Sequence, residues 1–180
     1  MINYVQIKEV SAMHQGRVML SKLKYILFIS FFVSTSAFSR VHLNRLGVGF
    51  SNQLVNDIPA ISFKLQKNPV VAIGGVLGYS NSDVGGGYGA GLKLHRIIFD
   101  EPFLNFYGSI LGALIKQQVS KTESYSGFQF DFSFGSEFTF RGIESLGFSV
   151  EFGVSVNKLK DLVIETAGNN FITAGVHFYL

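Results

Sequence analysis

The stretch that most constrains this chain is GFQFDFSFGSEFTF, residues 127–140, with Phe at 128, 130, 132, 134, 138 and 140. Between them stand Gln129, Asp131, Ser133, Gly135, Glu137 and Thr139. Successive side chains of a strand point to opposite faces, so this segment has one phenylalanine face and one polar face carrying carboxylates. Two folds satisfy it. Either the phenylalanines fill a core and the acids meet water, or the phenylalanines meet lipid and the acids line a closed interior.

The same period of two recurs along the chain. Leu46, Val48 and Phe50 alternate with small residues in 45–51, and Ile61, Phe63 and Leu65 with Ser62, Lys64 and Gln66 in 60–66. Tyr88, Ala90, Leu92 and Leu94 alternate with glycines, Lys93 and His95 in 86–95. Phe148 and Phe152 share a face in 146–157 with Glu151 on the other, and Ile172, Ala174, Val176, Phe178 and Leu180 share one in 170–180. Segments 70–79 and 103–115 are apolar on both parities, so their facing stays open. With 127–140 this makes eight strands. Short connections at 67–69, 96–102 and 141–144 interleave with longer ones at 52–59, 80–86, 117–124 and 157–168, the rhythm of a hairpin meander.

Composition narrows the choice. Glycine (20) and phenylalanine (19) are abundant, charged residues are 15%, and there is no cysteine, hence no disulfide, thiolate metal site or cysteine nucleophile. The net charge of +3 lies entirely in residues 1–39, where Lys8, Arg17, Lys22 and Lys24 outweigh Glu9. The 11 basic and 11 acidic residues of 40–180 cancel, which removes the basis for a nucleic-acid partner.

Residues 19–39 have the layout of a secretory signal peptide: Lys22 and Lys24, an apolar run from Tyr25 to Val33, then Ser34, Thr35, Ser36 and Ala37. Cleavage after Ala37 or after Ser39 fits equally, and Met19 is an alternative start to Met1. The expected organisation is therefore an extension and signal peptide over 1–39 and a barrel over 40–180. The apolar run is shorter than the ~20 residues of a spanning helix, so any membrane crossing falls to strands.

Eight strands enclose little more than side chains. Strands six and seven alone would crowd that interior with eight phenylalanines, whereas glycine and serine on the other face suit a narrow lumen. The expected fold is an all-β, eight-stranded antiparallel up-and-down transmembrane barrel. Phe128, Phe130, Phe132, Phe134, Phe148 and Phe152 would face lipid. Lys64, Lys93, Asp131, Glu137 and Glu151 would form a charge network that fills the lumen, with either lysine as partner of Glu151. His95 and His177 would be hydrogen-bonded lumen histidines, with no metal site and no cofactor.

In this layout residues 40–180 resemble the small eight-stranded outer-membrane barrels of Gram-negative bacteria, the OmpX and OmpA-transmembrane-domain type. The most specific element is the end, FITAGVHFYL. It alternates like the C-terminal strand that the barrel-assembly machinery reads in such proteins, here through Val176, Phe178 and Leu180. Those strands usually finish in Phe. The resemblance implies an outer-membrane monomer with both termini periplasmic, in contact with outer-membrane lipid and lipopolysaccharide, with a structural or surface-interaction role. Two alternatives stand beside it: a lipid-modifying hydrolase of the PagL-like kind, and a soluble periplasmic ligand-binding barrel. The His-x-Ser strand motif of the PagL-like enzymes has no match, since Ile97 follows His95 and Tyr179 follows His177 at that spacing. No catalytic residues are expected.

Overall fold

The computed structural model describes residues 43–168 and 172–180, so the signal-peptide stretch of 19–39 lies outside the described residues. Among them nine strands form: β1 Leu46–Ser51, β2 Ala60–Gln66, β3 Val71–Ser80, β4 Gly87–Glu101, β5 Leu104–Gln118, β6 Ser124–Thr139, β7 Leu146–Lys158, β8 Leu162–Thr166 and β9 Thr173–Tyr179. Consecutive strands from β1 to β7 pair antiparallel, β9 pairs with both β7 and β1, and the ring closes. The chain is an eight-stranded antiparallel up-and-down barrel. The ninth strand, β8, pairs with the far end of β7 (Val154↔Thr166 to Lys158↔Leu162), while β9 pairs with its near end (Leu146↔Phe178 to Glu151↔Thr173). Both pieces thus occupy the eighth position in the wall.

Three connections differ from expectation. Residues 96–101 belong to β4, which keeps pairing with β5 to Glu101↔Leu104 after an irregularity between Ile97 and Phe99. Such a bulge re-aims a strand without ending it, so the turn shrinks to Pro102 and Phe103. The expected loop 157–168 contains β8, where Leu162, Val163 and Ile164 favour extended structure. Residues 52–59 do not project as a loop, because Gln53, Leu54, Asn56 and Ile58 are buried inside the barrel.

The structure also fixes the two strands whose facing was open. Ala72 and Val76 of β3 and Tyr107, Leu111 and Ile115 of β5 point inward, while Ile73, Leu77, Ile110 and Leu114 are exposed outside. The interior therefore has two storeys. Near the chain termini it is polar; nearer the loops it is mixed, with Leu54, Ala60, Val76, Leu111, Ala113 and Ile115 forming an apolar cluster beside the buried Gln129 and Asp131.

Every strand of the ring except the glycine-rich stretches presents large apolar groups outward. Phe50, Phe63, Leu92, Ile110, Phe130, Phe132, Phe134, Phe152, Val154, Val176 and Phe178 are all exposed. On β5 the outward apolar run goes from Leu104 to Leu114. Those ten residue steps, at a rise of about 3.3 Å and a tilt of ~40°, give a band about 25 Å tall.

Candidate functional site in the barrel interior

The polar storey of the interior is a set of hydrogen-bonded charges delivered by four strands. Lys64 of β2 forms an ion pair with Glu137 of β6, their side chains 2% and 1% exposed. The Tyr179 hydroxyl donates to the other oxygen of Glu137. Lys93 of β4 binds both oxygens of Glu151 of β7, at 2.6 and 2.7 Å. Tyr107 Oη (2.9 Å) and Ser109 Oγ (3.3 Å) also donate to Glu151. The Lys64 ammonium lies 4.9 Å from the centre of the Tyr107 ring, so the aromatic ring sits between the two ion pairs.

Each pair joins strands on different arcs of the wall, which ties the barrel across its diameter. Taking such charges out of water costs several kcal/mol per ion, so they persist only with good geometry and further donors. Here both carboxylates have a lysine and at least one hydroxyl.

Asp131 of β6 has no lysine. Its carboxylate is held by amides instead: Gln53 Nε2 at 2.9 Å, and Gln129 Nε2 at 2.8 and 3.0 Å. Gln53 links this group to the second ion pair, because Lys93 Nζ donates to Gln53 Oε1 at 2.6 Å. Lys93, Glu151, Gln53, Asp131 and Gln129 thus form one connected network. In such a network each bond supports the next, and a missing member strands the others in low dielectric.

Gln53 belongs to the inward-folded segment 52–59, which is pinned at several further points. Gln129 Nε2 donates to the Gln53 carbonyl (2.9 Å), and the Val55 amide donates to Gln129 Oε1 (3.0 Å). Asn56 Nδ2 donates to the carbonyls of Tyr88 (3.1 Å) and Lys116 (3.2 Å). Leu54 sits against two glycines of the wall: a Cβ at Gly89 would fall 2.6 Å from its Cδ1, and one at Gly78 2.9 Å. Gly89→Val should therefore expel Leu54, at a cost of roughly 1–3 kcal/mol from overpacking. Limited proteolysis within 52–59 should accelerate, and adding Leu54→Ala should recover part of the loss. Unchanged cleavage in Gly89→Val would show that the segment is not seated there.

Both histidines point inward. His177 Nε2 lies 2.8 Å from Ser62 Oγ, and His95 meets the Tyr107 ring edge-on with centroids 5.2 Å apart. Nδ1 of each has no hydrogen-bond partner. The Ser62–His177 contact is a nucleophile–base spacing, yet no acid orients Nδ1 as acyl transfer requires. The adjoining cavity, bordered by Ser62, Lys64, Lys93, His95, Glu151 and His177, has a volume of about 20 Å³. That is room for about one water, not for an ester. Among the described residues no three His, Asp or Glu side chains converge as a metal site would need.

The outward residues occupy the opposite face throughout. Phe130, Phe132, Phe134 and Phe152 are exposed, Phe128 and Phe148 half-buried, and Val176, Phe178 and Leu180 alternate with the inward His177 and Tyr179. Reading the sequence did not single out Tyr179, Gln129, Tyr107 or Gln53. The first two lie in phase with His177 and Asp131 and were open to discovery by parity. Tyr107 lies on a strand apolar on both faces, and Gln53 lies outside any strand.

What these features define is a closed eight-stranded barrel with an apolar exterior and ion pairs in its interior. No protein-family model, no curated protein and no solved structure matches the chain.

Proposed function

We propose that this chain is an integral protein of the bacterial outer membrane, crossing it as a monomeric barrel with both termini on the periplasmic side. Its role is structural or surface-interacting rather than that of a channel or an enzyme. One observation carries the reading: the belt of exposed apolar side chains around the barrel. A soluble protein seldom exposes a contiguous apolar patch beyond a few hundred Å². On β5 the belt is about 25 Å tall, the height of the apolar band of transmembrane barrels. The ring of β1 to β7 and β9 closes on itself, so those strands present no free edge, the condition for residing in hydrocarbon; β8 extends past the ring and pairs with β7 alone.

In this setting Phe128, Phe130, Phe132, Phe134, Phe148 and Phe152 contact outer-membrane lipid and lipopolysaccharide. Val176, Phe178 and Leu180 present the outward alternation on which the barrel-assembly machinery acts. The ion pairs and the segment 52–59 fill the lumen, which argues against a pore. Cell fractionation tests the location: the protein should stay with outer membranes through a urea wash and run as a compact, heat-sensitive band in unheated detergent gels. Recovery in the periplasmic soluble fraction would end the membrane reading. In planar bilayers the purified barrel should show no steady conductance, and a stable open channel would contradict a filled lumen. Lipid A from cells with and without the gene should carry identical acyl chains by mass spectrometry; a difference would restore the hydrolase alternative.

A further inference from the structure

The outer wall is not uniformly convex. Across β3, β4 and β5 it dips into an open groove of about 720 Å³. Its floor is made by Gly75, Ala90 and Gly112, and its sides by Leu77, Phe128 and Phe130. Register explains the dip. Gly75 and Gly112 flank Leu92 in one row across the sheet, and Ala90 lies between Leu77 and Leu114 in the next row towards the loops. Small residues at these outward points leave a hollow where neighbouring strands carry phenylalanine.

Basic side chains stand at the loop-side end of this hollow. Lys116 is the next outward residue after Leu114 on β5, paired with Tyr88 on one side and Ser126 on the other. Lys158 is outward on β7, directly opposite Phe128. The two lysines are two strand spacings across and two residues along from each other, about 12 Å, within reach of one anion between their side chains. The ion pairs formed among the described residues are Lys64–Glu137, Lys93–Glu151 and Lys121–Asp83, so neither rim lysine is neutralised by a carboxylate. Tyr88 beside them is exposed, the position aromatic rings take where hydrocarbon meets headgroups.

We propose that this face is a binding site for one phosphate-bearing membrane lipid of net negative charge, with an acyl chain in the groove and its phosphate between Lys116 and Lys158. The site rests on the membrane reading and adds to it a particular lipid class and place. An apolar hollow closed by two uncompensated cations matches an amphiphile of net negative charge; in a zwitterionic phospholipid the headgroup amine already offsets the phosphate, so the lysines gain less from it. The groove lies towards the loops, so the lipid belongs to the outer leaflet.

The chain has no tryptophan, which makes a single introduced one an unambiguous reporter. Leu114→Trp places it in the groove, and Phe178→Trp places a control on β9. Each protein is refolded into phosphatidylcholine vesicles containing a small fraction of brominated phosphatidylglycerol or brominated phosphatidylcholine, and quenching is read. Trp at 114 should prefer the anionic lipid, by about fivefold for each lysine near an anionic surface, and Trp at 178 should show no preference. Lys116→Gln and Lys158→Gln should each remove their share, and the double variant should abolish the preference. Ala90→Leu should fill the groove and reduce quenching by both lipids.

Equal quenching at 114 by the two lipids, or a preference that survives both lysine changes, overturns the site while leaving the membrane reading intact. Equal quenching together with a dimer in detergent would assign the groove to a second copy instead. If a protein folded by its unheated gel band is quenched by neither lipid at either position, the membrane reading itself falls, and the site with it.

Discussion

Lys93→Met should destabilise the barrel by on the order of 3–5 kcal/mol, the cost of leaving one partner of a buried pair without its counter-charge. Its ammonium binds both oxygens of Glu151 and the Gln53 side chain, so its loss strands Glu151 with only the hydroxyls of Tyr107 and Ser109. Adding Glu151→Gln should recover much of that cost, because the uncompensated charge goes with it. Glu137→Gln should recover none, since Glu137 belongs to Lys64. Denaturant unfolding of the single and double variants gives two thermodynamic cycles. Strong coupling in the first and additivity in the second is the expected outcome. Additivity in both would dissolve the network.

The next largest effect is expected on the other face of the wall. Phe132 lies mid-strand on β6 and is 55% exposed, with Val154 and Ile110 opposite it on the neighbouring strands. In the proposed bilayer Phe132→Arg puts a charge near the midplane, at roughly 2–4 kcal/mol. Phe132→Leu should cost little, because hydrocarbon accepts any apolar shape. Facing water, the same Arg would be close to neutral, so refolding titrations in lipid vesicles discriminate sharply. An Arg tolerated at 132 would sink the membrane reading. Ser133 next to it is 4% exposed, with Ser109 and Gly153 opposite it on the neighbouring strands. Ser133→Trp should be damaging through overpacking of a narrow interior.

The strand count and the inside-out distribution of β6 and β7 were legible because polarity alternates along both, with Ser136 the one polar residue in phase with the phenylalanines between Phe128 and Phe138 of β6. Elsewhere in the barrel that contrast disappears. On β3 and β5 the lumen-facing residues are themselves apolar, Val76, Leu111 and Ile115, so both parities look alike. The pairing of Lys93 with Glu151 depends on the stagger between strands far apart in sequence, which no local pattern encodes. Segment 52–59 mixes Gln53, Leu54, Asn56 and Ile58 without a period. Its seat is set by Gly78 and Gly89, some thirty residues away, and by Gln129 beyond them. Arg96, Asp100, Glu101 and Pro102 suggested a linker, yet backbone pairing with β5 carried β4 through all but the proline.

The unequal lengths of the strands have a consequence for the surroundings. β5 and β6 have 15 and 16 residues, while β1 and β2 have 6 and 7. The outward apolar run of β1 goes only from Leu46 to Phe50, about 10 Å of height at ~40° tilt, against about 25 Å on β5. Placed in a bilayer, such a cylinder meets hydrophobic mismatch along one arc only. The membrane answers by thinning beside β1 and β2 or by letting the whole cylinder lean, each at fractions of a kcal/mol per Å. A rotationally plain barrel thereby acquires a front and a back in the membrane plane, and thickness alone would then sort which neighbours settle on either side.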